Sequence, residues 1–324
     1  MRLPYVLTAA LLIAGCASAQ PDFGSEITVP AELGSIQQAV DAAREGATIL
    51  VAPGVYEESV RVKTRGLTIR GTRRGSVIID GRTERANGIV VAAPEVSVQN
   101  LTVRNHTSNG VLISAQRDFR VSYVTASNNA VFGIHAFDSQ RGVIEQSYAS
   151  GSATAGIYVG HCRPCEIVVR GNVAERNAVG YEGANASGEM FVLGNRFSGN
   201  RVGLVSNAER QDYVTVAGNL VSDNDEELAP ARPDGGFGVG MSITSSPRNV
   251  VFRNLVVGNP RGDVVFGMPT RKSRTPRGIP FTQVAAPPVQ PEMPNGPLPG
   301  RTPDAERYAL PDEDLFDDRA AVRS

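Results

Sequence analysis

Six residues that could bind a ligand or do chemistry recur at nearly equal steps in the middle of the chain. They form two series with steps of 23 and 24 residues: His135, Tyr158 and Glu182, and then Asp138, His161 and Asn185. A histidine near a carboxylate can serve as an acid, a base or a ligand. All six are therefore ligand-binding candidates, and His135, Asp138 and Glu182 are the catalytic candidates. The alternative is an ordinary solvated surface.

A glycine followed by a bulky apolar residue marks the same period and predicts the scaffold. These pairs begin at Gly110, Gly133, Gly156, Gly180 and Gly203, which are 23 or 24 residues apart. Between them, short apolar runs alternate with polar residues, which predicts strands with one buried face. Three short strands per period, with no helix between them, predict an all-β, single-stranded parallel β-helix with coils of about 22–24 residues. A leucine-rich repeat has a similar period, but its L-x-x-L-x-L pattern is absent.

The register of the strand after each marker glycine decides which side chains face outward. Residues one and three positions after the glycine are predicted to point into the core, so the residue between them points outward. The outward column is Leu112, His135, Tyr158, Glu182 and Val205, and a second column past the strand end is Ala115, Asp138, His161, Asn185 and Ala208. Stacked strands lie about 4.8 Å apart, so His135 and Glu182 should flank Tyr158 at about 9 to 10 Å from each other. That separation suits a sugar ring better than a proton relay, which needs about 3 Å.

The N-terminal residues are typical of an export signal. Residues 1–19 combine Arg2, an apolar run of roughly ten residues and then small residues, and such a run is too short to span a bilayer. The stretch ending at Cys16 resembles a bacterial lipobox, which predicts lipidation of Cys16 and anchoring to the membrane. Cleavage after Ala19 is the alternative and would give a periplasmic or secreted protein. Residues 20–30 are interpreted as a linker to a domain at 31–268.

Cys162 and Cys165 are the other two cysteines, and they follow His161 directly. In an oxidising compartment a disulfide is the expected state of such a pair. The alternative is a zinc or copper site made by His161, Cys162 and Cys165, because thiolates and imidazoles suit these metals. No cofactor is otherwise implied.

Four further features lie outside the two columns. Ser35 to Arg44 is predicted to be a helix with Ser35 as N-cap, closing the first coil. His106 is expected at a solvated turn. The insertion Asp225 to Gly236 is either the wall of a binding groove or a solvated loop. Residues 269–324 are rich in proline and include five acids between Asp312 and Asp318, so we expect an extended or disordered tail that adds little to stability.

Two segments and the repeats together resemble the right-handed parallel β-helix superfamily. The segments are Ile36–Ala43 and Val51–Tyr56, and the resemblance covers roughly residues 31–268. It implies the fold of pectate lyases, pectin methylesterases, polygalacturonases, alginate epimerases and NosD-type accessory proteins. The enzyme motifs are not matched. Gly160-His161-Cys162 is not Gly-His-Gly, and His135-Ala136-Phe137-Asp138 is not Asp-Pro-His-Asp.

The sequence therefore predicts an exported cell-envelope β-helix protein that binds a polysaccharide or an envelope partner through its outward face. A net charge of −1 argues against a nucleic-acid partner. Two alternatives stay open, namely a polysaccharide lyase, epimerase or hydrolase that uses the same face, and a NosD-like copper accessory protein. Whether the protein is an enzyme is left undecided.

Overall fold

The fold is described from a computed structural model that covers residues 24–207, 212–232, 236–243, 246, 248–266, 282–301, 303 and 307. It contains one short helix, α1 Ile36–Ala42. The strands in chain order are β1 Glu26–Val29, β2 Thr48–Val51, β3 Gly54–Tyr56, β4 Val60–Val62, β5 Thr68–Gly71, β6 Val77–Asp80, β7 Asn87–Val91, β8 Ser97–Arg104, β9 Asn109–Ser114, β10 Arg120–Ser127, β11 Phe132–Phe137, β12 Val143–Glu145, β13 Tyr148–Ser150, β14 Ala155–Cys162, β15 Val168–Arg170, β16 Val173–Glu175, β17 Val179–Ala186, β18 Met190–Leu193, β19 Arg196–Ser198, β20 Val202–Asn207, β21 Val214–Ala217, β22 Leu220–Ser222, β23 Val239–Ile243, β24 Val250–Phe252, β25 Leu255–Val257 and β26 Gly262–Phe266. No described helix is long and apolar enough to span a membrane.

The strands stack into a parallel β-solenoid, as the repeat predicts. Each coil adds one strand to a nine-stranded sheet, and its remaining strands join a 17-stranded sheet. The register is fixed coil by coil, since Ile134 pairs with Val111 on one side and with Ile157 on the other. These residues are fully buried. The stack begins with β1, which pairs with β2, so stacked strands start within the stretch interpreted as a linker.

Coil corners use left-handed backbone, and the glycine-asparagine pairs lie at one column of them. Gly171, Gly194 and Gly218 have φ values of 60°, 57° and 62°, which glycine adopts without strain. The asparagine after each glycine points inward and bonds to the next coil. In one ladder, the amide oxygen of Asn195 accepts hydrogen bonds from the backbone and side-chain N–H groups of Asn172 at 3.0 and 2.9 Å. The pattern predicted the turn but not this buried ladder.

Helix α1 closes the N-terminal end of the stack. The Ser35 hydroxyl accepts the N–H of Gln38 at 3.1 Å, as an N-cap does. Ile36, Ala39 and Val40 are buried against the first coils. The helix ends at Ala42, two residues before the predicted end.

His106 is fully buried, so the expectation of a solvated histidine is wrong. Its ring lies beside Gly81 and Gly88, and a Cβ at either glycine would fall within 2.8 Å of a ring atom. Two positions without side chains therefore make room for the imidazole inside the coil. Burial lowers the pKa of His106 to about 4, outweighing the opposing effects of the Ile79 backbone and the Asp80 carboxylate.

Residues 282–301 lie across the outer face of the 17-stranded sheet, and we call them the C-terminal belt. The belt has no regular secondary structure. Near its start, Val284 and Asn128 exchange two hydrogen bonds of 2.9 and 3.3 Å. Further along, the N–H of Met293 donates to Asn100 at 2.9 Å. The tail is extended here, but its packing does not fit the expectation that it adds little to stability.

Buried arginines hold the belt by its carbonyl groups. Proline offers an acceptor but no N–H, so a guanidinium is a suitable partner for a proline-rich segment. Arg74 is buried and donates to Val124 O, Thr125 Oγ1 and Pro291 O at 2.9–3.0 Å. Burial lowers the pKa of Arg74 to about 10, so the group stays charged at neutral pH.

A second anchor lies at the other end of the belt. Arg120 and Arg170 both pair with the buried carboxylate of Glu145, which neutralises one of the two positive charges. Each arginine also donates to the carbonyl of Pro299, and Arg170 donates to that of Gly300 at 2.9 Å. The belt therefore connects coils that are far apart in sequence.

Candidate functional site

The outward column predicted from the repeat is present in the nine-stranded sheet. His135 on β11 pairs with Tyr158 on β14, which pairs with Glu182 on β17. Leu112 and Val205 lie on the strands on either side. The structure therefore brings His135, Tyr158 and Glu182 together on consecutive strands, with Tyr158 between the other two.

Aromatic rings form a continuous cluster on this part of the surface. The His135 ring packs edge-on against Tyr158 with centroids 4.8 Å apart, and Phe132 lies 4.2 Å from His135. Phe137 lies 5.9 Å from His135 and 4.8 Å from His161. Phe132 and Tyr158 are nearly buried, whereas Phe137 and His161 are exposed. The cluster thus has a buried base and an open edge.

Tyr158 lies flat along its own strand. A Cβ at Gly160 would come within 2.6 Å of the Tyr158 ring and hydroxyl, so only glycine leaves space there. The phenol is 8% exposed. Burial, followed by the negative charge of Glu182, raises the pKa of Tyr158 well above its ordinary value. The hydroxyl is therefore protonated at neutral pH.

The protonation state of His135 follows from its neighbours. The side-chain nitrogen of Asn109 donates to Asn87 and Ser108, so the amide oxygen faces His135 Nδ1 at 3.2 Å. An amide oxygen only accepts, and Nδ1 must therefore carry the proton in the neutral ring. Burial and then the charge of His161 lower the pKa of His135 to about 3. His135 is thus a neutral imidazole with Nε2 as its acceptor.

Glu182 is 4% exposed and is paired with an arginine of the insertion. The Arg232 guanidinium donates to the Glu182 carboxylate at 2.9 Å. The insertion is also attached to the stack through Glu226 N–H, which donates to Asn200 O at 3.1 Å. Outward-facing Val205 beside Glu182 is buried as well. Of the two interpretations of the insertion, this packing favours a wall at one end of the outward face.

Asp138, His161 and Asn185 form an exposed rim beside the column. They occupy corners with φ values of 50°, 60° and 52°, just where the strands turn away from the nine-stranded sheet. All three side chains are exposed. A bound molecule could therefore meet the aromatic edge and the polar rim at the same time.

Cys162 and Cys165 are joined by a disulfide and are both buried. The bridge uses both sulfur atoms that the alternative zinc or copper site requires as thiolates. Among the residues that the structure describes, no three His, Cys, Asp or Glu side chains are grouped so that they could hold a metal ion. The lipidation candidate Cys16 lies outside the described residues.

Comparison with known proteins agrees with this architecture. A model described as "Right handed beta helix region" matches residues 53–174 and 109–271, and the second match alone spans half of the chain. The chain belongs to the right-handed β-helix family. No curated protein matches it.

Three solved structures resemble this β-helix. Pectate lyase Pel9A has a TM-score of 0.53 at 12% identity, covering 86% of this chain and 91% of its own. The A-module of mannuronan C-5 epimerase AlgE6 from Azotobacter vinelandii has a TM-score of 0.53 at 16% identity, covering 71% and 74%. An alginate lyase from Paenibacillus sp. str. FPU-7 has a TM-score of 0.48 at 17% identity, covering 72% and 95%. At these identities the likeness to Pel9A and to the epimerase module shows the fold alone.

Three residues of this β-helix site were not predicted, namely Asn109, Phe132 and Arg232. Strict alternation places the residue before each marker glycine on the inner side, yet Phe132 packs with Tyr158 in a cluster separate from the core. The marker glycines are tightly packed, since a Cβ at Gly133 would lie 2.6 Å from Gly156 O. The alternation of inward and outward side chains is therefore interrupted at the marker glycine, and Phe132 lies outside the core. The repeat could have revealed Asn109 and Phe132 as one column, but it carries no signal for Arg232.

Proposed function

We propose that this protein binds a polysaccharide through the open edge formed by Phe137, His161 and His135 and through the rim of Asp138 and Asn185. The observation that carries the proposal is the exposed pair of rings, Phe137 and His161, 4.8 Å apart beside polar corners. A pyranose has an apolar C–H face and hydroxyl groups at its edge. Aromatic rings suit the face, and carboxylate and amide groups suit the hydroxyls. Pectate lyase Pel9A and the mannuronan epimerase, whose names state polysaccharide substrates, share the fold.

Binding is favoured over catalysis by the state of the candidate catalytic groups. A general base works best when its pKa lies near the working pH. The pKa of His135 is about 3, which makes its ring a weak base at neutral pH. Glu182 is held in an ion pair with Arg232 and is nearly buried. The outward face therefore suits recognition of a sugar better than proton transfer.

The proposal includes an envelope location. The lipobox pattern ending at Cys16 predicts a lipid anchor, and a single acyl chain gives only marginal attachment, so more than one is expected. We expect the protein to label with palmitate in bacterial cells, and Cys16→Ser to abolish both the label and partition into detergent. A soluble wild-type protein that begins at Gln20 would contradict the anchor.

Polysaccharide binding is tested with oligosaccharides and paired variants. Calorimetry with alginate, polygalacturonate and cellulose hexasaccharides should give binding by at least one of them. Phe137→Ala and His161→Ala should each weaken that binding about 3- to 10-fold, because an aromatic contact is worth roughly 0.5–1.5 kcal/mol.

The matched control is Phe266→Ala, which removes an exposed aromatic ring from β26 at the far end of the same sheet. It should bind like the wild type, and all variants should keep the β-rich circular dichroism. The proposal is overturned if none of the three glycans binds, or if the double variant at Phe137 and His161 binds as tightly as the wild type.

A further inference from the structure

The last coil leaves an apolar surface open at the C-terminal end of the stack. Its exposed residues are 36–74% accessible, and they are Val250, Val251, Val257, Val264 and Phe266. Among described strands, β24, β25 and β26 each pair with one neighbour only, so their outer edges are free for another extended segment. Helix α1 closes the opposite end, but no described element closes this one.

The charge of the open end indicates which kind of peptide segment would bind there. Residues 248–266 carry three arginines, Arg248, Arg253 and Arg261, against one acid, Asp263. The side chain of Arg248 is 56% exposed and is paired with Asp212 at 2.8 Å, so the excess of positive charge comes from Arg253 and Arg261. An apolar surface with a positive rim suits a segment that is both apolar and acidic.

The C-terminal chain already runs toward this end. Arg301 donates to Asp118 at 2.7 Å, and Pro303 then lines a cavity of about 710 Å³ together with Glu189 and Phe191, three coils further along. Phe191 pairs with Thr215, which pairs with Val250, so the last coil lies two strand spacings away, or about 10 Å. Eight residues lie between Pro303 and Asp312, and the chain from one to the other can span roughly 30 Å.

We propose that residues 312–318 of the same chain dock on the open end and cap it. This segment, which lies outside the described residues, has the sequence Asp-Glu-Asp-Leu-Phe-Asp-Asp. Leu315 and Phe316 cover the exposed valines, the five acids face the arginine rim, and the backbone pairs with a free strand edge. The segment covers the end of the last coil, as α1 covers the end of the first.

Hydrogen exchange on the full chain tests the cap. Truncation after Arg307 should raise amide exchange in β24, β25 and β26 at least tenfold, because the last coil loses its apolar cover and one of its strand edges loses a pairing partner. Truncation after Asp318 is the matched control and should leave exchange unchanged. The double substitution Leu315→Asp and Phe316→Asp keeps the length of the chain and should behave like the truncation after Arg307.

A peptide of residues 308–324 provides the reverse test. Added to the chain truncated after Arg307, it should restore protection in the same three strands, and high salt should weaken its binding. Unchanged exchange on truncation would overturn the proposal. Protection that rises with protein concentration together with dimer formation would also overturn it, since the occupant would then be a second copy.

Discussion

Deleting the chain after Met268 is expected to lower the free energy of unfolding by about 3 kcal/mol or more. The belt acts like a ligand tethered to the folded state. For the belt to be bound in about 99% of folded molecules, its binding must stabilise the fold by about 2.7 kcal/mol. Arg74, Arg120 and Arg170 each lose a carbonyl partner when the belt is removed. The melting temperature should fall by about 6 to 12 °C, measured by calorimetry. The proline-rich composition of the tail, taken alone, would suggest no change in the melting temperature.

Two comparisons isolate the belt from the rest of the tail. Truncation after Arg307 keeps residues 282–301 and should retain most of the stability that deletion after Met268 removes. Arg74→Met should destabilise the full chain more than the truncated one, because only the full chain supplies Pro291 O. The coupling should be about 0.5 to 3 kcal/mol. An equal effect of Arg74→Met in both chains would mean that the belt does not depend on this contact.

Acid should destabilise the protein through His106. The pKa of His106 is lowered from 6.5 to about 4 in the folded state, so the unfolded chain binds the proton more tightly between these values. Stability is then complete above pH 6.5, decreases as the pH falls, and reaches its full loss near pH 4. At 1.36 kcal/mol per pKa unit, the loss is about 3 kcal/mol. Denaturant unfolding at pH 7, 5.5 and 4 measures the total loss, which also includes a contribution from His135, whose pKa is lowered to about 3. The difference between the wild type and a variant that cannot titrate at position 106 gives the His106 part.

A replacement that cannot titrate should remove this loss. His106→Phe is expected to flatten the pH dependence by about 3 kcal/mol, whatever its effect on stability at pH 7. His161→Phe is the matched control, because that side chain is exposed. If the two variants have the same pH dependence as the wild type, His106 does not act as a buried neutral group.

The repeat predicted the fold because each coil contacts its neighbours, so local periodicity determines the register. The pairing of His135 with Tyr158, and of Tyr158 with Glu182, could therefore be read from spacing. The belt could not. Arg74 and Glu292 are 218 residues apart, and nothing near either residue in the sequence indicates the other.

The same limit applies within the site. Residue type suggested that Glu182 was an available carboxylate, but Arg232 comes from an insertion that does not share the period of the repeat. His106 appeared to lie at a solvated turn because Gly81 and Gly88, which make room for its ring, belong to the preceding coil. A sequence pattern shows which residues stack, but not which side chains from outside the repeat cover them.

The most direct test of polysaccharide binding uses the histidines themselves. The chain has only three, so a protein labelled at the histidine ring carbon Cε1 gives one imidazole C–H signal each for His106, His135 and His161 in an NMR spectrum. On titration with alginate, polygalacturonate or cellulose hexasaccharide, we expect the signals of His161 and His135 to shift together along one saturating curve while that of buried His106 stays fixed. Saturable binding that moves neither His161 nor His135 would place the sugar elsewhere on the protein and contradict the account.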